Sequence, residues 1–190
     1  YISFNGGPHT TLNSSDPISN AYSGSRNQSN VFDVSTYRGS NLALNPISGS
    51  TVEFWLKKAA FTPTTTTKKE VIFDLWNNST GTSAPGTETY GRLMVELSGT
   101  ATDDESPFRI TYQSGTSGFK SHEIGSNVTT GSVADDTWNH YAISFLSSST
   151  DLVAKLYVNG VLNDTQTTGS TVNEITGAML ANIGALRTSP

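Results

Sequence analysis

Apolar and polar residues alternate with a period of two through much of the second half of this chain. The clearest stretch, residues 138–162, reads W-N-H-Y-A-I-S-F, then a polar Ser/Thr/Asp break, then V-A-K-L-Y-V-N-G-V-L. Successive side chains of a strand point to opposite faces, so this alternation marks strands with one buried face. Asn159-Gly160 between two alternating runs predicts a two-residue type I′ hairpin, because both central residues need positive φ. The stretch therefore predicts three consecutive antiparallel strands.

Other segments carry the same pattern. In 51–57, Val52, Phe54 and Leu56 face one way and Glu53, Trp55 and Lys57 the other. Residues 70–76 are apolar on both faces, which suits a central strand, and 92–97 alternate again. Residues 108–113 and 119–124 form a pair about Ser114-Gly115, and Ile175, Met179, Leu180 and Ile183 supply a last strand or two. Shorter candidates are 31–34 and 41–44. Residues 1–30 read as an extended arm rich in Asn, Ser, Gly and Pro, with 1–4 adding a strand. The segments 77–90, 99–107 and 165–172 read as loops, as does T-P-T-T-T-T-K-K after 61. No segment of eleven or more residues has a 3.6-residue period, so helix content should be near zero. Strands spaced roughly ten residues apart predict an all-β, two-sheet antiparallel jelly-roll sandwich over 31–190.

Composition narrows the function classes. The 190 residues are 34% hydrophobic, and a chain this long buries roughly 70% of its unfolded surface, enough for a core without staples. Cysteine is absent; the protein either never needed disulfides or assembles in a reducing compartment. Net charge is −5, and the only paired basic residues are Lys57-Lys58 and Lys68-Lys69. A phosphate-tracking surface is therefore not supported, and nucleic acid is excluded as an expected partner. No apolar run approaches the roughly 20 residues of a membrane span. The chain opens Tyr1-Ile2-Ser3-Phe4 with neither Met nor a signal peptide, so it is expected to be a piece of something longer.

Candidate chemistry is sparse. Retaining glycosidases need two carboxylates about 5 Å apart, which on one strand requires an acid-x-acid pattern. Glu53, Asp74 and Glu96 each stand alone on their strands, leaving a cross-strand Asp74–Glu96 pair as the remaining arrangement. Catalysis is not expected. His9, His122 and His140 are scattered, giving neither a nucleophile's base nor a zinc cluster, and His140 reads as a packed structural residue. Sugar binding needs exposed aromatic faces beside amides and carboxylates. Trp55, Trp76, Tyr90 and Asn77 are the candidates, with Tyr37 and Tyr112 behind them. The Asn-x-Ser/Thr sites at positions such as Asn13, Asn27, Asn78, Asn127 and Asn163 read as compositional.

Several of these segments also resemble a known family. T-V-E-F-W-L-K (51–57), R-L-M-V-E-L (92–97), D-T-W-N-H-Y-A (136–142), L-Y-V-N-G (156–160) and A-N-I-G (181–184) occur in the order and spacing of laminin-G-like domains. The resemblance implies a concanavalin A-like jelly roll serving as a non-catalytic recognition or decoration module, binding a glycan or surface as part of a larger virion assembly. The virion part would be a fibre or the capsid surface. A glucanase-like hydrolase and a bacterial surface adhesin are the alternatives; the Glu-x-Asp-x-x-Glu run of the glucanases is absent. The resemblance also implies Ca²⁺ on the sandwich rim, held by Glu88 and by Asn173 or Glu174. Asp103, Asp104 and Glu105 form either an independent oxygen-ligand cluster or a solvated acidic loop. The family's closing C-terminal strand is missing after Ile183-Gly184, so other copies or other chains are expected to pair with an open edge. The expected setting is extracellular or on a virion surface.

Overall fold

Strands form where side chains can be sorted onto two faces, and here that sorting yields two stacked antiparallel sheets. A computed structural model describes residues 2–5, 44–61, 69–77, 90–98, 105–173, 175 and 179–184. The strands are β1 (Ile2–Asn5), β2 (Ser50–Lys57), β3 (Lys69–Trp76), β4 (Gly91–Ser98), β5 (Phe108–Ser114), β6 (Ser117–Glu123), β7 (Trp138–Ser147), β8 (Leu152–Val158), β9 (Val161–Thr167) and β10 (Leu180–Ile183). One sheet has the order β1-β10-β3-β4-β5-β6 and the other β2-β7-β8-β9. The chain thus changes sheet after β1, β2, β6 and β9, as a jelly-roll sandwich requires.

The core lies between the sheets. From the larger sheet come Leu93, Val95 and Leu97 on β4 and Phe108, Ile110 and Tyr112 on β5; from the smaller come Tyr141, Ile143 and Phe145 on β7 and Leu152, Ala154 and Leu156 on β8. Each set is spaced two apart, so one face of every strand is apolar. Aromatic rings bridge the gap: Phe108 meets Tyr141 at 4.8 Å between centroids, and Tyr112 meets Phe145 at 5.0 Å. Fully burying a side chain of this size is worth about 1.5–3 kcal/mol. Burial pushes the hydroxyls of Tyr112 and Tyr141 up to about 12, and the charge of Asp135 adds to it at the second.

The predicted meander is present as β7, β8 and β9. Val158 pairs with Val161, and Asn159 (φ 50) and Gly160 (φ 81) make the tight turn. One expectation needs correction. Residues 165–167 continue β9 instead of forming a loop; an edge strand with polar residues on both faces carries little alternation. A single helical turn, α1 (Thr130–Val133), interrupts the β structure, and Thr129 and Ser132 cap it reciprocally. It is too short to show a period. The candidates at 31–34 and most of 41–44 lie outside the described residues, although Leu44 bridges to Ile175. β1 pairs with β10, so the first residues of the arm do add a strand. Among the described residues no helix is long and apolar enough to cross a membrane.

Candidate functional site

The outward face of the four-stranded sheet concentrates large side chains that the fold leaves in solvent. Alternation on β2 sends Val52, Phe54 and Leu56 toward the core and Glu53, Trp55 and Lys57 outward. Pairing then sets Trp55 opposite His140 and Lys57 opposite Trp138. Trp55 and Trp138 are each 64% exposed. They are diagonal neighbours on one face, a relation that places Cα atoms roughly 7–8 Å apart.

His140 sits between polar clamps. Its ring lies 5.1 Å from that of Trp55, inclined at 52°, and its Nε2 is 2.9 Å from Glu53 Oε1. Its backbone is held by the hairpin tip: the His140 N–H donates to Asn159 Oδ1 at 2.9 Å, and its carbonyl accepts from the Asn159 N–H at 2.8 Å. Asn159 Nδ2 donates to Asn139 Oδ1 at 3.0 Å. Glu53, Trp55, His140 and Asn159 line an open depression of about 420 Å³. Beside Trp138, Lys57 pairs with Asp136 at 3.4 Å. Hydrogen bonds from the Thr137 hydroxyl and N–H, with help from Asn139, hold the exposed Asp135 carboxyl below the usual range. Together these groups offer ring faces for stacking, a carboxylate acceptor and amide groups for hydroxyls.

The non-core face of the six-stranded sheet is different. Arg92 donates from Nε to Asp74 Oδ1 at 2.7 Å and from Nη2 to Asp74 Oδ2 at 2.8 Å, and its guanidinium lies 5.2 Å from the centre of the Trp76 ring. Burial would lower the Arg92 pKa, but the hydrogen bond and charge of Asp74, helped by Tyr90, raise it overall. Glu96 accepts from Ser121 Oγ at 3.2 Å. Asp74 pairs with Met94, and Glu96 with Val71, so the two carboxylates are diagonal and not directly opposed. Asp74, Glu96, Thr111, Gln113 and Asn182 are all buried on this sheet.

The sequence-predicted ligand residues therefore separate. Trp55 is exposed and belongs to the depression. Trp76 is only 4% exposed, and Arg92 covers its ring. Asn77 is buried too, its Oδ1 accepting from the Gly91 N–H at 3.0 Å and closing the end of the β3–β4 ladder. Tyr90 is partly buried, its carbonyl accepting from the Gly115 N–H. Tyr112 is a core residue, not a stacking platform. Tyr37 lies outside the described residues.

Of the calcium candidates, Glu88, Asp103, Asp104 and Glu174 lie outside the described residues, Asn173 is exposed, and Glu105 stands 4.0 Å from Arg109 Nη2. Among the described residues no group of three or more His, Asp or Glu side chains is placed to hold a metal ion. A second depression of about 420 Å³ is lined by His122, Glu123, Gly125, Ser126, Asp164 and Gln166. Partial burial would raise the Asp164 carboxyl, yet hydrogen bonds from Gln166, Gly125 and Thr165 and the nearby His122 keep it below the usual range. Its two oxygens are occupied by these donors.

Sequence reasoning missed Trp138 and His140 as partners of Trp55. One signal was present: 138 and 140 have the same parity and precede an apolar run of the other parity, so both point outward.

Comparison with known proteins follows this geometry. A profile of the concanavalin A-like lectin/glucanases superfamily (Laminin_G_3) matches residues 26–189. Solved structures that match include the Bacillus licheniformis β-glucanase, at 16% identity and a TM-score of 0.36, covering 77% of this chain and 57% of that one. Porphyranase B from Zobellia galactanivorans matches at 13% identity and a TM-score of 0.39, covering 75% of this chain and 52% of that one. The chain thus spans little more than half the length of these enzymes. No curated protein sequence matches it. With a two-sheet antiparallel sandwich and a family profile running through nearly all of it, the chain belongs to the concanavalin A-like lectin/glucanases superfamily.

Proposed function

We propose that this protein is a non-catalytic carbohydrate-recognition module whose ligand face is the outward side of the four-stranded sheet. The observation that carries this reading is the pair of indoles, Trp55 and Trp138, each 64% exposed beside His140, Glu53 and Asn159. Leaving two tryptophans in water forgoes burial that folding normally captures, and indole faces stack well on the apolar faces of sugar rings. Glu53 and Asn159 supply hydrogen-bonding groups within the same depression.

The opposite sheet supports the absence of catalysis. A glycosidase carboxylate must reach its substrate and change partners during the reaction. Asp74 instead gives both oxygens to Arg92 and is 0% exposed, and Glu96 is 1% exposed. A weak single site becomes effective when many copies act together. This fits an extracellular or virion-surface assembly, on a fibre or capsid, in which other copies or other chains surround the domain. A bacterial surface adhesin is the alternative setting. Both rest on the Ser/Thr/Asn/Gly-rich composition.

Affinity electrophoresis through gels containing soluble polysaccharides tests the reading. Retardation should occur without turnover and disappear in Trp55→Ala and Trp138→Ala proteins of unchanged fold. Release of reducing sugar, lost on Asp74→Asn or Glu96→Gln, would overturn it in favour of the hydrolase.

A further inference from the structure

Resting on that reading, we infer that the ligand is an extended, uncharged polysaccharide chain, and that Glu53 selects against sulfated or uronate-bearing chains. Three features carry this. First, the binding groups are spread over the sheet face and do not converge on one point. Trp55, His140 and Asn159 form a row across the strands, and Trp138, opposite Lys57, lies two residues along β7 from His140. A single sugar ring cannot cover two diagonal indoles and also reach the hairpin, whereas consecutive rings of a chain can.

Second, the charge beside Trp55 is negative and exposed. The Glu53 side chain is 65% exposed, and among the described residues its ion-pair contact is the His140 Nε2 at 2.9 Å. An anionic substituent seated over Trp55 would face this carboxylate at a few ångströms. Like charges about 4 Å apart cost roughly fivefold in affinity at the dielectric of bulk water and roughly a thousandfold at that of a protein surface, so a loss of at least about tenfold is expected for this exposed carboxylate. A neutral hydroxyl there donates to the same oxygen instead.

Third, the cation beside Trp138 does not offset it. Lys57, across from Trp138, is paired with Asp136 at 3.4 Å. A carboxylate therefore stands near Trp138 as well. The whole chain is acidic at −5, so long-range attraction of a polyanion is also lacking.

Matched polymers that share a backbone test this: hydroxyethyl cellulose against carboxymethyl cellulose, and dextran against dextran sulfate. In low-salt affinity electrophoresis the anionic member of a pair should bind at least tenfold more weakly than the neutral one. The Glu53→Gln protein, which keeps an amide oxygen for His140, should narrow that ratio several-fold, and so should 0.5 M salt acting on the wild type. Equal or tighter binding of the anionic polymers, unchanged by Glu53→Gln, would overturn the inference and leave carbohydrate recognition standing. No retardation by either member of any pair, with the fold intact by circular dichroism, would overturn the recognition reading itself. So would self-association of the wild type that is abolished by Trp55→Ala, since the face would then be a contact between copies.

Discussion

The two sheets turn opposite characters away from their shared core. The six-stranded sheet carries buried acidic and amide side chains, with Asp74 clamped by the partly buried Arg92 as the tightest example. The four-stranded sheet carries indoles that are mostly exposed. A buried polar face held by such contacts contributes to holding one structure and has little free capacity for a ligand. An exposed aromatic face contributes little to folding and keeps its contact capacity. Within one domain, the buried polar face and the proposed recognition face thus lie on different sheets.

The largest effect should come from breaking the buried face. Asp74→Ala leaves the Arg92 guanidinium, 13% exposed, without its carboxylate, and removing one partner of a buried pair costs about 3–5 kcal/mol. Urea denaturation should show that loss, while polysaccharide retardation of the remaining folded protein stays the same.

Next in size is alkaline unfolding of the interior between the faces. Tyr112 and Tyr141 have folded pKa values raised to about 12 from 10.0. The folded state therefore holds protons that the unfolded state releases. Stability is full below pH 10 and falls as pH rises toward 12, by about 2 kcal/mol per tyrosine. Thermal melts between pH 9 and 12 check this, and Tyr141→Phe should flatten the decline.

A smaller effect belongs to Asp164, which ties Gly125, in the loop after β6, to Gln166 on its own strand β9. Asp164→Ala should cost about 1–2 kcal/mol in urea. Because its folded pKa is lowered, its stabilisation is present above the ordinary aspartate range and is lost as pH falls through the depressed value.

Smallest of all should be the stability change from Trp55→Ala or Trp138→Ala, within about 0.5 kcal/mol, as for other exposed positions. Each should nonetheless abolish retardation by neutral polysaccharide. If either substitution destabilised the protein like a core truncation, by about 3–5 kcal/mol, the division of labour between the sheets would fail.

Much of the fold was legible because its signals are local. Asn159-Gly160 fixes a turn by backbone sterics alone, and the parity of Val52, Phe54 and Leu56 fixes the direction of Trp55. The site was only half legible. Trp55 and His140 meet across a pairing between β2 and β7 that residues near either one do not encode. The sequence did not decide which of Trp55 and Trp76 is covered, for a related reason: alternation tells which side a residue faces, and not what lies above it. β9 was read short because Asp164, Thr165, Gln166 and Thr167 look like a loop until Ala154, Lys155 and Leu156 are placed beside them.

The double hydrogen bond between Asn159 and His140 has a thermodynamic consequence. Since a two-residue turn already fixes the ring's backbone, docking a saccharide need not freeze a loop, and the ordering entropy has been spent during folding. Association should accordingly proceed with little rearrangement and a rate set mainly by encounter, while selectivity among sugars appears in how quickly they leave.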